Sequence, residues 1–184
     1  IHSDISNDNC SKIQSRKRFY YKELIRSGKI KVRDGVLRLI EELAFLNIEQ
    51  FIVTTSGRES LEPFLNTSLH SYLKYFSRVI TYEDVSKHKP FPDAYNLAVN
   101  LSKKPNINCI AIEDSRIGVD AAKSANINCL LTLSPWSSNL KKITKKANAC
   151  VDRLGNTKNN SKLIYGKPLI NNYVDFAYLT NIIN

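Results

Sequence analysis

The sequence has 184 residues, 42% of them hydrophobic, which is enough for one domain with a buried core. Its formal net charge is +10, so nucleic acids, membrane surfaces and anionic metabolites are the partner classes to consider. No run approaches the roughly 18 apolar residues of a membrane-spanning helix, so no membrane partner is expected. The four cysteines form neither a C-x-x-C pair nor a zinc-type spacing, which argues against a disulfide framework and favours buried thiols in a reducing compartment.

The positive charge is spread along the chain instead of being concentrated in one binding motif. Lysines are mixed with asparagine and isoleucine throughout, and the basic cluster "SRKRFYYK" has no recognisable nucleic-acid module around it. We therefore expect no nucleic-acid partner.

The first half of the chain changes character at about residue 32. Residues 1–31 are polar and contain one helical stretch, "SKIQSRKRFYYKELIRSG", for which Gly28 is a natural stop. "DGVLRLIEELAFLN" predicts an amphipathic helix with Asp34 as its N-cap. "QFIVTT" and "RVITY" are typical of short strands, and "RESLEPFLNTSLHSYL" between them predicts helix, interrupted at Pro63.

The second half alternates between helix and strand. "PDAYNLAVNLSKK" predicts a helix with Pro92 in its first turn. The strand "CIAIED", the helix "IGVDAAKSAN", the strand "CLLTL" and a last short strand, "NACV", follow. "GNTKNNSKLIYGKP" is a polar excursion, and "YVDFAYLTNIIN" predicts a terminal helix that docks on the core. Such alternation is typical of βαβ units, so the predicted fold is α/β, with a doubly wound parallel sheet and helices on both faces.

Polar residues are concentrated where three predicted strands end. "FIVTTSG" ends in hydroxyls, "VITYEDVSKHKPFPD" leads to a lysine directly before a Pro-x-Pro segment, and "AIEDS" ends in two adjacent acids; the residues are Thr54, Thr55, Ser56, Lys89, Glu113 and Asp114. Ligands of such sheets bind beyond the carboxyl ends of the strands. Hydroxyls and N–H groups at a helix start bind phosphate, a lysine neutralises its oxygens, and one or two carboxylates suit Mg²⁺. Together they predict a phosphoryl-transfer site.

Each feature also has a purely structural interpretation. The hydroxyls after the first strand are typical of a turn or helix cap. Lys89 is typical of a solvated charge in a loop. The two acids are typical of a helix N-terminus, where the helix dipole favours negative charge. Taken singly, these interpretations are favoured. The coincidence of all three features, in one order at successive strand ends, favours the phosphoryl-transfer site.

Three segments resemble a known superfamily. "VTTSGRES", "KHKPFPDAY" and "AIEDSRIGVDAAKSANI" resemble the second, third and fourth motifs of the haloacid dehalogenase (HAD) superfamily, in particular its CbbY-like subgroup, with β-phosphoglucomutase a near neighbour. "RDGVLRLIEEL" resembles the segment where such proteins return from a helical cap to the core. The resemblance implies that residues 1–31 are the C-terminal part of a helical cap. It implies that residues 32–184 are a HAD-type, Rossmann-like core.

The resemblance also implies roles for the residues at the strand ends. Thr54 would bind the transferring phosphoryl group, and Lys89 would stabilise the nucleophile and the charge of the transition state. Glu113 and Asp114 would hold Mg²⁺.

Four further residues would contact substrate by the same resemblance. Thr55 would help through its backbone, Ser56 and Arg58 would lie near the substrate, and Lys17 would reach a substrate phosphate from the cap. Relatives often have asparagine near the position of Arg58, and a basic helix face such as that of Lys17 is more often simply solvated.

The sequence departs from the superfamily in one respect. The first motif, a strand ending in D-x-D-G-T that carries the aspartate nucleophile, is absent, and the sequence contains no methionine. We expect an N-terminally truncated chain that lacks the central strand, the one between "FIVTT" and "CIAIED". Such a chain would be inactive as given, and its two unpaired strand edges would make it unstable alone.

The leading hypothesis is part of a Mg²⁺-dependent phosphatase that hydrolyses a small sugar phosphate, such as xylulose-1,5-bisphosphate, through an aspartyl-phosphate on an upstream aspartate. The alternatives are a phosphosugar mutase of the β-phosphoglucomutase type and a non-catalytic binding protein that kept the fold. We expect a monomer when intact, in the cytoplasm or the plastid stroma.

Overall fold

A computed structural model describes residues 7–134 and 145–184. Within these ranges the α-helices are α1 (Asn7–Arg26), α2 (Val36–Phe45), α3 (Arg58–Thr67), α4 (Asp93–Ser102), α5 (Arg116–Ser124) and α6 (Phe176–Ile183). The strands of the described residues are β1 (Phe51–Val53), β2 (Arg78–Ile80), β3 (Ile110–Glu113), β4 (Asn128–Thr132), β5 (Ala149–Val151) and β6 (Leu163–Tyr165). Short 3₁₀ helices span His70–Tyr75, Tyr82–Asp84 and Asn106–Asn108.

The strands form two sheets that confirm the predicted α/β class. β1 pairs with β2 in parallel, and a four-stranded sheet has the order β3-β4-β5-β6. β3, β4 and β5 are parallel, so their carboxyl ends lie at one edge. β6 runs antiparallel to β5 at the margin of the sheet and was not predicted. Its segment, "KLIY", is short and lies in a polar stretch, so it shows little strand pattern.

Helices cover both faces of the four-stranded sheet, as predicted. On one face α4 and α5 pack through Tyr95, Val119 and Ala122 on Ala111, Cys129, Leu131 and Cys150. On the other face α2 and α6 pack through Leu39, Tyr178 and Leu179 on Leu130, Ala149 and Val151. α4 also packs on Ile80 of β2 through Ala94 and Ala98, so it bridges the two sheets.

The start of α2 differs from the prediction that Asp34 caps it. The helix begins after Gly35, whose φ is 82°, and no side chain caps it. A Cβ on Gly35 would lie 2.3 Å from the carbonyl oxygen of Gly155, so the two backbones meet directly. Asp34 instead accepts a hydrogen bond from Asn159. The prediction was wrong because the backbone contact of Gly35 with Gly155 sets the helix start, and the Asp34 carboxylate is bonded to Asn159.

Arg33, just before this contact, ties the same segment to the carboxyl edge of the sheet. Its guanidinium donates to Thr132 Oγ1 at 3.2 Å and to the carbonyl oxygens of Leu133 and Asp152. Upstream, α1 ends at Arg26, and Gly28 follows with a φ of 67°, as expected for a helix stop. The chain is therefore fixed to the core from Arg33 onward.

The predicted interruption at Pro63 was also wrong, because α3 continues through it. Proline cannot donate to the carbonyl of residue 59, but α3 packs along α1 and this tertiary contact supports the helix. The ion pair between Lys22 Nζ and Glu59 Oε1, at 3.1 Å, joins the two helices.

A cavity of about 1000 Å³ lies between β1 and β3, the neighbouring margins of the two sheets. Phe51 and Val53 line it on one side and Ile110 and Ile112 on the other. Among the described residues β1 pairs only with β2, and β3 only with β4. The predicted position of the nucleophile strand is this gap, and the strand itself stays a prediction. Across residues 7–134 and 145–184, no helix combines the length and apolarity needed to cross a membrane.

Candidate active site

Lys89 lies at the centre of a buried polar cluster at the carboxyl ends of β1 and β3. Its ammonium group donates to the carbonyl oxygen of Val53 at 3.0 Å and to Glu113 Oε1 at 2.5 Å. Its side chain is only 7% exposed. These contacts join residues that are 36 and 24 positions from it in the sequence. The structure thus brings the predicted second, third and fourth motifs to one place.

Tyr95, on the first turn of α4, completes the cluster. Its hydroxyl donates to Glu113 Oε1, and Lys89 Nζ lies 3.5 Å from the hydroxyl oxygen and 4.9 Å from the ring centroid. Burial raises the pKa of Tyr95 well above its ordinary value, and the neighbouring Glu113 carboxylate raises it further. The sequence analysis did not identify Tyr95. The signal was available, because Tyr95 lies six residues after Lys89, in the first turn of the helix that follows the Pro-x-Pro segment.

Glu113, the last residue of β3, is buried with Lys89. Its second oxygen, Oε2, lies where a side chain at position 118 would have to go, because a Cβ on Gly118 would be 1.9 Å from it. Gly118 therefore makes room for this carboxylate in the first turns of α5, a role that the sequence pattern "EDSRIG" did not disclose. Glu113 Oε1 accepts hydrogen bonds from Lys89 and from Tyr95, and this arrangement orients the Lys89 ammonium group. Its predicted role as a metal ligand stays a prediction.

Asp114 follows Glu113 and is exposed at the strand end, on the border of the cavity. Ser115 begins α5 beside it and accepts a hydrogen bond from the N–H of Gly118 at 3.2 Å. In the part of the chain that the structure describes, no group of three or more His, Cys, Asp or Glu residues could hold a metal ion. Mg²⁺ uses one or two carboxylates together with water and substrate oxygens, so Asp114 fits as one such ligand.

The hydroxyl loop after β1 is shaped by its own hydrogen bonds. The N–H of Thr54 donates to Ile80 of β2 at 2.9 Å, and Thr54 Oγ1 accepts from the N–H of Ser56 at 3.0 Å. Thr55 and Ser56 are exposed. Thr54 is thus fixed at the strand end, next to the Val53 carbonyl that Lys89 contacts.

Arg58, the first residue of α3, points toward the loop after β2. Its guanidinium pairs with Asp84 at 2.6 Å, and its backbone N–H donates to the carboxylate of Glu83 at 3.1 Å. Hydrogen bonds from the N–H and hydroxyl of Thr81 hold the pKa of Asp84 below its ordinary value, and the charge of Arg58 adds to this. Arg58 is thus engaged by two acids of the chain.

Lys17 is exposed on α1. Two basic residues of α1 near it interact with Glu59 of α3: Lys22 forms an ion pair with its carboxylate, and the charge of Arg18, like that of Lys22, lowers the pKa of Glu59. The structure therefore places Lys17 on the helix that faces α3, and its reach to a substrate phosphate stays a prediction.

Comparison with known proteins shows which family the chain belongs to. The model of the haloacid dehalogenase-like hydrolase family matches residues 2–132, which is more than half of the sequence. The chain belongs to this family. CbbY from Rhodobacter capsulatus is 29% identical over 118 residues, which cover 64% of this chain and 52% of that protein.

Solved structures of the family have the same fold. A crystal structure of CbbY from Rhodobacter sphaeroides in complex with xylulose-1,5-bisphosphate matches 80% of this chain and 67% of that chain, with a TM-score of 0.69 and 25% identity. A β-phosphoglucomutase from Clostridium difficile matches 97% of this chain and 69% of that chain, with a TM-score of 0.69 and 22% identity. The predicted CbbY-like resemblance is confirmed.

The chain spans 40–52% of the length of four curated relatives that it matches.

Proposed function

We propose that this chain provides the phosphate-binding and cationic part of a CbbY-like phosphatase that hydrolyses a small phosphorylated sugar. The observation that carries the proposal is the position of Lys89, whose ammonium group joins the carboxyl end of β1, through Val53, to that of β3, through Glu113. Phosphoryl transfer needs positive charge and hydrogen-bond donors fixed around the transferring group. Lys89 and the loop that begins at Thr54 offer both at one edge of the sheet.

Each residue then has a defined task. Lys89 is held by Glu113 and Tyr95 and neutralises negative charge that develops on the phosphoryl oxygens. Thr54 accepts from Ser56 and can still donate its own proton to a phosphate oxygen. The N–H of Thr55 and the hydroxyl of Ser56 lie at the exposed rim, where they can bind further substrate oxygens.

Asp114 is the carboxylate proposed to hold Mg²⁺, with Glu113 beside it. When bound, the ion would neutralise phosphate charge and orient the phosphoryl group. Arg58 and Lys17 are proposed to face the rest of the substrate, from α3 and α1. The attacking aspartate is proposed to lie in a D-x-D-G-T segment encoded upstream. Residues 1–31 would belong to the helical cap and residues 32–184 to the core.

The test is phosphate release by the gene product extended upstream to its D-x-D-G-T segment, assayed with Mg²⁺ on xylulose-1,5-bisphosphate and other sugar phosphates. Lys89→Ala and Asp114→Asn should each reduce turnover at least a hundredfold. Lys87→Ala, in the same loop, and Asp120→Asn, on α5, are the matched controls and should keep wild-type turnover. Full activity of either site variant contradicts the assigned roles.

The β-phosphoglucomutase match favours one alternative, a mutase, which the same assay separates because it yields an isomeric sugar phosphate instead of free phosphate. If the upstream reading frame holds no D-x-D-G-T segment, the non-catalytic binding protein replaces both enzymes. The absence of a nucleic-acid partner, the monomeric state and the location in the cytoplasm or plastid stroma stay predictions.

A further inference from the structure

Two consecutive hydrogen bonds lead from Arg33, just before α2, to the end of β3. The guanidinium of Arg33 donates to Thr132 Oγ1 at 3.2 Å, and Thr132 Oγ1 donates to the carbonyl oxygen of Glu113 at 3.4 Å. Thr132 ends β4 and Glu113 ends β3, so both bonds lie at the carboxyl edge of the sheet. They join residues that are 99 and 19 positions apart in the sequence, so this connection exists only in the folded chain.

The chemistry of the three groups fixes the direction of both bonds. A guanidinium has only N–H donors, so Thr132 Oγ1 must be the acceptor toward Arg33. The single hydroxyl proton of Thr132 is then available for the carbonyl oxygen of Glu113. Thr132 is 5% exposed, and a buried hydroxyl is normally hydrogen-bonded, so the two contacts satisfy it. Because the first donor is charged, it polarises the hydroxyl and strengthens the second bond.

The carbonyl oxygen that Thr132 contacts belongs to the peptide group that carries the N–H of Asp114. On the other side of Asp114, Ser115 begins α5 and is fixed by the hydrogen bond that it accepts from the N–H of Gly118. The Thr132 contact acts on the peptide plane between Glu113 and Asp114. Since the orientation of that plane helps to set the direction of the next side chain, Thr132 bears on where the Asp114 carboxylate points.

Arg33 also makes contacts that are purely structural. Its guanidinium donates to the carbonyl oxygens of Leu133 and Asp152, which fastens the segment before α2 to the ends of β4 and β5. Loss of Arg33 would therefore reduce stability even if it had no effect on Asp114. A test must separate these two consequences.

We propose that Arg33 and Thr132 position the carboxylate of Asp114 for the cation that it binds. Thr132 holds the peptide group between Glu113 and Asp114, and Arg33 holds and polarises the Thr132 hydroxyl. All four residues line the cavity between β1 and β3. Arg33 and Thr132 act through Asp114 and are positioning residues, not catalytic ones. The inference rests on the proposed function, because Asp114 is the carboxylate assigned there to Mg²⁺.

The experiment measures Mg²⁺ affinity by calorimetric titration with MgCl₂, without substrate, in the gene product extended upstream to its D-x-D-G-T segment. Thr132→Val keeps the shape of the side chain and removes the hydroxyl, so it should weaken Mg²⁺ binding about three- to tenfold, as expected for one lost hydrogen bond. Thr132→Ser keeps the hydroxyl and should bind within about twofold of wild type. Arg33→Met should weaken binding by a similar factor. The double variant should be no weaker than the weaker single one, because the two residues act as one unit.

Two matched controls separate positioning from stability. Arg38→Met removes a guanidinium that, like that of Arg33, donates to two backbone carbonyl oxygens. Thr67→Val removes a hydroxyl that donates to the carbonyl oxygen of Pro63 at 2.7 Å. Arg38→Met should lower the urea concentration at which the protein unfolds, and both controls should keep Mg²⁺ affinity within about twofold of wild type. If Arg33→Met does not fold, Thr132→Val decides the case, because it preserves the volume of the side chain.

Two further measurements read the position of Asp114 by other means. The backbone amide signal of Asp114, followed by NMR without metal, should shift in Thr132→Val and Arg33→Met and stay in place in Arg38→Met. In the phosphatase assay, excess Mg²⁺ should restore kcat of Thr132→Val to within about twofold of wild type, because the defect lies in cation binding.

Three results overturn the proposal. They are wild-type Mg²⁺ affinity in folded Thr132→Val, an equal loss of affinity in Arg38→Met and Arg33→Met, and an Asp114 amide signal that does not respond to loss of the Thr132 hydroxyl. Failure of the proposed function is recognised separately, because Asp114→Asn would then bind Mg²⁺ as well as wild type does. In that case the amide signal alone decides whether Thr132 positions this peptide group.

Discussion

Replacement of Lys89 by methionine leaves the carboxylate of Glu113 buried without its cation. Glu113 is 8% exposed, and Tyr95 would be the remaining partner of the oxygen that Lys89 contacts. Removing one member of a buried ion pair costs about 3–5 kcal/mol, because the other charge stays uncompensated. That is a large share of the roughly 5–15 kcal/mol by which a domain is stable, so Lys89→Met should unfold at a markedly lower urea concentration.

The magnitude can be separated from side-chain packing by a double-mutant cycle. Glu113→Gln alone leaves the Lys89 ammonium buried and should also destabilise. The double variant removes both charges and should be more stable than the sum of the single effects implies, by about 1–3 kcal/mol. Urea unfolding followed by circular dichroism gives all four free energies.

Lys22→Met is the matched control for this experiment. It breaks the Lys22–Glu59 pair, in which the glutamate side chain is 71% exposed, and should shift the unfolding midpoint far less than Lys89→Met. Equal shifts for Lys22→Met and Lys89→Met, or strict additivity in the cycle, would refute the view that Lys89 and Glu113 act as a buried pair.

Two further predictions concern crowding and pH. Gly118→Ala places a Cβ on Glu113 Oε2 and should cost about 1–3 kcal/mol by urea unfolding, whereas Gly57→Ala meets only the tip of a movable surface side chain and should cost less. Burial raises the pKa of Cys129 to about 12, above its unfolded value, so the stability that its protonated thiol contributes is present below about pH 8.5 and is lost as the pH rises. The free energy of unfolding should therefore fall by about 1.4 kcal/mol per pH unit between pH 9 and 11 for this group. Burial also raises the pKa of Cys150, to about 11, so Cys129→Ala should reduce the measured slope without removing it, whereas Cys10→Ala should keep it.

The order of most elements, and the meeting of polar residues at the strand ends, could be predicted from the sequence because local signals agree there with tertiary structure. Hydroxyls, a lysine and an acid pair stand at successive strand ends, and parallel strands bring such ends to one edge. The meeting of Val53, Lys89 and Glu113 is the consequence. The sequence could not show which of the two acids contacts Lys89. Only the fold shows that Glu113 is buried against Lys89 and that Asp114 is exposed.

The features that were missed depend on contacts between distant segments. Asp34 has the right chemistry and position for an N-cap, but a backbone contact of Gly35 with Gly155 moves the helix start. Pro63 normally ends a helix, but packing of α3 on α1 supports one that passes through it. Tyr95 has the apolar character of a core residue, and its hydroxyl gains a role only because Glu113 lies opposite.

The attachment of Arg33 and Gly35 to the core limits where the protein can bend. Arg33 is held by three groups at the carboxyl edge, and Gly35 lies against the backbone of Gly155. Any rotation of α1 over the sheet must therefore be absorbed by residues 27–32, where a Cβ on Gly28 would meet nothing within 4 Å beyond its neighbours in the chain. These six residues are the expected hinge, and shortening or stiffening them would change how α1 moves while leaving the sheet and its cluster at Lys89 in place.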